Sequence, residues 1–490
     1  MTPGEEIRLH RIKKLETLRK SGINPYPEKI SFSVIEIGDV KKKFKTYART
    51  KKIVGIAGRI MAKREHGGSI FLDIFDGSAN NKLQVFIGED KIGTSAFSLF
   101  TTTADVGDVI AVCGKLFTTK RGEETLEAAA WEMLAKTLRP LPEKWHGLSD
   151  IEERFRKRYL DLTMNEAVRN RFLKRSEIIR EIRNFFDKTS FVEVETPMLH
   201  PIAGGALAKP FVTHHNALDI DLYLRIAPEL YLKKLLVGGF RKVYEIGKSF
   251  RNEGIDPRHN PEFTTIEWYA AYWDEEDMMQ YTEKCFKHLI KKTTGKTEFE
   301  YQGKTISCAK PFLRLTFKEL LKRHAHILDF DKESRESLVL KARQFGIEPE
   351  THESKGKIAD EIYKKVCRPK ITQPTFLTNH PLDISPLAKK HASPDEVRRF
   401  QLVIGGLELV NAFSELNDPI DQLERFKEQD SMKKAGEMES HPVDEDYVEA
   451  LEYGLPPAAG AAIGIDRLTM LLTDTDNIKE VILFPTMRPK

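Results

Sequence analysis

Residues 250–269 read FRNEGIDPRHNPEFTTIEWY, and the way this stretch divides decides the fold. A run of strand-forming residues, KVYEIGKSF, ends at Phe250, and a second run restarts near Glu262 and closes on aromatics. Charges, two asparagines, a histidine and two prolines lie between them, which predicts two antiparallel strands joined by a charged loop. Arg251, at the end of the first strand, offers a rigid fork to a carboxylate or phosphate. Glu253 can accept from an exocyclic amine, and Phe263 offers a ring face to a flat base. A surface hairpin with ordinary salt bridges is the competing reading of this stretch alone.

Working outward, RSEIIREIRNFFDKTSF puts Ile178, Ile179, Ile182, Phe185 and Phe186 on one helical stripe, and the strand FVEVETPML follows, ended by Pro197. Strands and helices then alternate irregularly rather than in a steady βα rhythm, so an antiparallel α+β domain is expected over residues 151–490. A helix-rich insertion is expected at about 295–395. Beyond it, Gly405 and Gly406 sit between β-rich runs and predict a hairpin, with residue 401 opposite 410 and 403 opposite 408. Residues 51–137 hold five short strands split by Gly, Asn and Asp turns, the pattern of a small closed OB-fold barrel. Phe71 and Gln84 fall on neighbouring strands there, an aromatic platform beside an amide that can read a base edge; a lone strand Phe is also an ordinary core residue. Residues 1–50 form a basic lead-in whose first helix carries Ile7, Leu9, Ile12, Leu15 and Leu18 at helical spacing. Pro/Gly punctuation marks 138–150 as a linker.

Composition narrows the classes. A chain of 490 residues exceeds one ordinary core, and no run approaches the roughly 18 apolar residues of a membrane span, so no membrane association and a cytoplasmic location are expected. The four cysteines are scattered without a CxxC pair, which disfavours a zinc knuckle or a disulfide framework. The net charge of +4 is asymmetric: residues 1–65 carry 17 Lys/Arg against 7 Asp/Glu, or +10, leaving −6 for the rest. That is the footprint of a polyanionic partner, or of a solvated basic face. The GKS of GGFRKVYEIGKS is no phosphate loop, since the position that needs glycine is Lys242. No HExxH, GxSxG or strand-to-helix GxGxxG occurs, so metalloprotease, serine hydrolase and dinucleotide readings lack support.

Further polar residues could join the 250–269 loop. Glu229 opens a helix, Glu267 and Tyr269 end the second strand, and Asn411, Phe413 and Glu415 alternate onto one face of the late hairpin. Several carboxylates with an aromatic wall suit a positively charged substrate, although each carboxylate singly reads as a solvated strand residue. Arg467 sits where a small-residue strand runs into an apolar helix, a junction that favours phosphate.

FVEVETPML, FRNEGIDPRHNPEF and GAAIGIDRL, in that order, resemble motifs 1, 2 and 3 of the class II aminoacyl-tRNA synthetases. The longer strings PFVTHHNALDIDLYLRIAPELYLKKLLVGGF, NAFSELNDP and VILFPTMRP are similar to those of the bacterial-type lysyl-tRNA synthetases, and the likeness runs over nearly the whole chain. The resemblance implies an OB-fold that reads the lysine anticodon through Phe71 and Gln84, a catalytic antiparallel sheet of six or seven strands, and a homodimer built through motif 1. It implies ATP-dependent formation of lysyl-adenylate and transfer to lysine tRNA. In that scheme Arg251 holds the α-phosphate and the lysine carboxylate, and Glu253, His259 and Asn260 contact ATP. Phe263 and Arg467 sandwich adenine. Gly205, Glu229 and Glu267 serve the α-amino group, Asn411 the carboxylate, Tyr269 and Glu415 the ε-ammonium, and Phe413 walls the stem. Magnesium is implied as cofactor, with Glu408, Gln401 and Glu415 as candidate ligands, but the family's first glutamate is here Gln401, an uncharged amide. An aspartyl- or asparaginyl-tRNA synthetase of the same subclass is the alternative, distinguished by a cation at the side-chain end of its pocket. A non-catalytic RNA-binding protein on the same scaffold would lack the nucleotide arginines, and both are present.

Overall fold

A computed structural model describes residues 2–78, 82–142, 150–205, 208–393, 395–434 and 443–489, the side chains of 432–434 excepted. Residues 143–149 of the expected linker lie outside the described residues. The chain forms two compact units, Met1–Glu166 and Ala167–Lys490.

In the first unit five strands close into the expected barrel: β1 (Ile53–His66), β2 (Ser69–Phe75), β3 (Leu83–Gly88), β4 (Val109–Thr118) and β5 (Glu124–Ala135), in the order β1-β2-β3-β5-β4. Alternation explains the closure, because Ile70, Leu72, Ile74, Leu83, Val85 and Ile87 all point inward and are fully buried. The first helix, Pro3–Lys20, opens with a capping box between Thr2 and Glu5. Its expected apolar stripe is only half used. Leu15 and Leu18 are buried, whereas Ile7 and Leu9 are exposed and the buried residue one turn before Leu15 is Arg11, whose guanidinium reaches Thr137 Oγ1 at 2.6 Å and the Val106 carbonyl.

The second unit is built on one eight-stranded sheet. Its strands are β6 (Val192–Glu193), β7 (Lys242–Phe250), β8 (Glu262–Ala271), β9 (Leu313–Thr316), β10 (Thr375–Pro381), β11 (Glu396–Ile404), β12 (Leu407–Ser414) and β13 (Ala458–Gly464). Their order is β9-β10-β11-β12-β13-β8-β7-β6. The six central strands pair antiparallel, as expected, but both edge pairs, β6 with β7 and β9 with β10, are parallel. The strand expected from FVEVETPML is correspondingly short, and Val192, Met198 and Leu199 around it are exposed. The stretch expected as a helical insertion opens on a two-stranded hairpin, Glu298–Tyr301 with Lys304–Ser307, and contains the sheet strands β9 and β10. Only its middle is helical, where Phe317–Ala325, Arg335–Gln344 and Lys355–Ile362 pack on Leu377 and Val403 of the sheet.

The turn between β11 and β12 is the two-residue hairpin expected, with Gly405 and Gly406 at φ +59° and +74°, a conformation that favours glycine at both central positions. The register differs from expectation. Residue 403 does pair with 408, but Leu402 pairs with Val410 and Gln401 with Asn411, so Leu409 is a bulge. The extra residue keeps Glu408 on the same face as Asn411 and Phe413, which strict alternation would forbid.

The opposite face of the sheet is the core. Tyr244, Ile266, Trp268, Phe400, Leu402, Val410 and Ala412 pack against the helices Glu166–Lys188 and Glu275–Thr294. Phe186 is fully buried there, with ring centroids 4.9–5.5 Å from Tyr244, Phe191, Trp268 and Tyr281. Phe186→Ala should lower stability by about 3–5 kcal/mol, read as a shift in the urea midpoint; a midpoint unchanged from wild type would contradict this packing.

Candidate functional site

Register places the site. Directly opposed residues in antiparallel strands share a face, so two rungs cross the sheet on the side away from the core. One runs Glu245, Glu267, Ala462, Asn411, Gln401; the next runs Val243, Tyr269, Gly460, Phe413, Arg399. The middle strand contributes only glycine and alanine to these rungs, and that makes a trough. A cavity of about 370 Å³ lies over it, lined by Arg251, Glu253, His259, Asn260, Phe263, Arg467, Gly205, Glu229, Glu267, Tyr269, Asn411, Phe413, Gln401 and Glu408. Gly460 is required at the floor: a Cβ there would lie 2.1 Å from the Tyr269 ring and 2.4 Å from Glu415 Oε1.

One end of the trough is acidic. Glu229, Glu267 and Glu415 are all buried, with Glu415 lying over Gly460 beside the cavity lining. Lys233, one turn after Glu229 on the helix Glu229–Val237, is fully buried and lies 2.6 Å from Glu229 Oε1 and 2.5 Å from Glu415 Oε2. Burial opposes its charge, but the two carboxylates outweigh that and hold the ammonium above its usual range. Burial, reinforced by Glu229, pushes Glu267 up to about 8. Burial likewise pushes Glu415 up to about 8, against the pull of Lys233. The Tyr269 hydroxyl donates to Glu267 Oε2 at 3.3 Å, and Lys233 lies 5.3 Å from the Phe413 ring centroid.

The other end is basic. Arg251 stacks on Phe263 at 5.2 Å, with its Nε buried and unpartnered. Arg467, in the first turn of the helix Ile465–Leu472, reaches His259 Nε2 at 2.9 Å and donates to the Glu408 carbonyl at 3.3 Å. Asp466 beside it pins the helix by accepting from Thr264 N at 2.7 Å and pairing with Arg175 at 2.6 Å. Asn260 donates to the Glu262 carbonyl, so it braces the loop while its Oδ1 stays buried and unpartnered.

Every sequence-predicted residue of the trough therefore meets in one place, except that Glu415 cannot join Glu408 and Gln401 as a metal ligand. Seven residues of near-extended chain separate 408 from 415, roughly 20 Å. Phe71 and Gln84 lie in the other unit, half-buried on the barrel exterior. Phe71 sits 5.1 Å from Phe86, which sits 6.4 Å from Phe117, and Gln84 Nε2 donates to Thr125 Oγ1 at 2.8 Å.

Sequence reading missed Lys233, Arg399, Asp360, Lys364 and Arg368. Lys233 was signalled by its i,i+4 spacing from Glu229. Arg399, whose Nε donates to Asn411 Oδ1 at 2.8 Å and so leaves that amide's NH₂ free for the trough, was signalled only by register. Asp360 and Lys364 line the basic end and Arg368 pairs with Glu408 at 3.7 Å. They arrive on the helical segment between β9 and β10, which no local pattern ties to the sheet.

A trough with fixed guanidiniums and a stacked ring at one end and buried carboxylates at the other, on an antiparallel sheet, matches a known family. Residues 150–488 fit the model of tRNA synthetases class II (D, K and N), and residues 54–141 fit the OB-fold nucleic acid binding domain. The chain belongs to the class II tRNA synthetases. The synthetase is 49% identical to the lysine–tRNA ligase of Carboxydothermus hydrogenoformans, covering 98% of this chain and 97% of that one. It is also 49% identical to that of Moorella thermoacetica, over 98% and 97%, and 47% identical to that of Aquifex aeolicus, over 93% and 76%.

The raised carboxyls give the synthetase a pH signature. The folded state binds the Glu267 proton more tightly than the unfolded chain, whose value lies near 4.5. Its stabilising contribution is therefore full below about pH 4.5 and is lost as the pH rises through about 8. Glu267→Gln should flatten that decline, leaving the variant more stable than wild type at pH 8.5 by on the order of 1–3 kcal/mol. Urea titrations at pH 5 and 8.5 measure it, and parallel losses in both proteins would refute the assignment.

Proposed function

We propose that the synthetase activates L-lysine with ATP to lysyl-adenylate and transfers the lysyl group to lysine tRNA. The observation that carries this reading is the charge balance of the acidic end. Glu229, Glu267 and Glu415 are buried around one lysine, Lys233, which pairs with Glu229 and Glu415, while Arg399, which also lines the cavity, is turned to Asn411; the carboxylates outnumber the lysine and suit the ammonium groups of a lysine substrate. An aspartyl or asparaginyl enzyme would need a cation at the side-chain end, where the described residues place Glu229, Glu267 and Glu415, with Lys233 held by two of them.

In this reading the α-ammonium meets Glu229 and Glu267 near Gly205, and the ε-ammonium meets Tyr269 and Glu415 along the Phe413 wall. The carboxylate lies toward Arg251 and the Asn411 amide. ATP lies at the basic end, with adenine between Phe263 and Arg467 and with Glu253, His259 and Asn260 around it. The lysine carboxylate is ionised at neutral pH and needs no base, so in-line placement and guanidinium charge supply the catalysis. The barrel face around Phe71, Phe86 and Gln84 is the proposed anticodon reader. Exposed apolar residues along 192–199 support a homodimer through that segment. No helix among the described residues is long and apolar enough to cross a membrane, consistent with a proposed cytoplasmic site of action.

Magnesium enters with the nucleotide, and of the candidate ligands Gln401 and Glu408 line the cavity while Glu415 does not. Gln401 offers an uncharged amide whose Oε1 is buried without a partner, beside His380, which burial holds at about 3 and so uncharged; Glu408 is engaged by Arg368; Glu415 is remote. Among the described residues no group of three or more His, Cys, Asp or Glu could hold a metal.

Arg251→Ala should lower lysine-dependent pyrophosphate exchange by about two orders of magnitude or more while circular dichroism stays unchanged; retained exchange would overturn the role given to Arg251. Glu415→Gln should raise the KM for lysine about 10- to 100-fold and that for ATP less than about threefold. Equal losses for both substrates would count against the ammonium pocket. Exchange tested across all twenty amino acids decides the substrate itself.

A further inference from the structure

The basic end holds more fixed positive charge than a nucleotide site needs if a bound metal shares the load. Arg251, Arg258, Lys364 and Arg467 line it and Arg368 stands behind Glu408, against the carboxylates of Glu253, Asp360 and Glu408. Each of these carboxylates but Glu253 is already in an ion pair: Asp360 with Lys364 at 2.6 Å, and Glu408 with Arg368 at 3.7 Å. A divalent cation wants anionic oxygens in surplus over neighbouring cations. Here the surplus is reversed, and position 401 adds no charge.

We propose that in this chain Lys364 and Arg368 take the place of protein-bound divalent cation: Lys364 meets the nucleotide's phosphates from the cavity lining, and Arg368 cancels the Glu408 carboxylate that would otherwise repel them. This rests on the reading that the trough binds ATP. The two residues come from one short segment. The helix Lys355–Ile362 runs into a π-helical turn, Tyr363–Cys367, and then a 3₁₀ turn, Arg368–Lys370. A π turn re-aims the side chains that follow it and recurs at functional sites. The Lys364 side chain lines the cavity and is about half exposed, so it retains donors for an anion, while Arg368 is held against Glu408. The buried Tyr363 ring, packed on Phe317 at 5.7 Å, anchors the turn from below.

The test uses the full chain and two readouts that do not depend on turnover. Calorimetry should show metal-free ATP, in EDTA, binding less than about fivefold weaker than Mg-ATP. Manganese titration followed by electron paramagnetic resonance should count no more bound ions than bound nucleotides. Arg368→Gln should weaken metal-free ATP about tenfold or more while lysine affinity stays unchanged, and Gln401→Glu combined with Arg368→Gln should add a manganese ion. A fivefold or greater loss in EDTA for wild type, or manganese in excess of nucleotide in wild type, overturns the proposal, and neither measurement needs a variant to fold. Absence of lysine-dependent pyrophosphate exchange would instead sink the functional reading, whatever the manganese count.

Discussion

The ammonium of Lys233 between Glu229 and Glu415 is the interaction on which the rest of the site depends. Three carboxylates buried within one small volume would repel one another and take up protons unless some cation shared the space. One resident lysine removes part of that repulsion and leaves the remainder as an unmet demand. The site is thus set up to be incomplete, and its most favourable completion is a molecule that brings positive charge. Burial, with Glu229 adding to it, raises Glu267 and Glu415 both to about 8.

The sheet makes the arrangement possible because its two faces do different work. The face toward the helices Glu166–Lys188 and Glu275–Thr294 is a continuous aromatic and aliphatic core, and it fixes strand positions tightly. The other face then carries charges at predetermined spacings, since side chains on opposed strands stand in rows. Small residues in β13 keep the middle of those rows low, and Gly460 lets Tyr269 and Glu415 lie across it. At the basic end the same logic holds with a different anchor: Asp466 ties the helix carrying Arg467 to β8 and to Arg175.

Much of this was readable from the residues in order. The ends of β7 and β8, the Gly405-Gly406 turn and the barrel strands follow from period, turn chemistry and propensity, which are local. The grouping of Arg251, Phe263, Glu267 and Tyr269 followed from alternation once the strands were set, and Arg467 from its helix junction. What escaped needed distance information. Arg399 reaches Asn411 because of a register shifted by one residue, and Asp360, Lys364 and Arg368 reach the trough only because two edge strands bring their segment back to the sheet. Lys233 lay inside the run PELYLKKLLV, where one lysine turns inward and its neighbour Lys234 outward; sequence period alone does not tell which is neutralised beside the cavity lining.

The bulge at Leu409 makes the late hairpin a vernier. With it, Glu408 and the alternating series Asn411, Phe413 look into the same trough, because Leu409 is the one unpaired residue between Glu408 and Val410. The strand therefore has one residue in hand: without Leu409, Glu408 and Asn411 would stand two apart and share the trough by plain alternation, whereas losing a second residue would turn one end of the strand to the hydrophobic face.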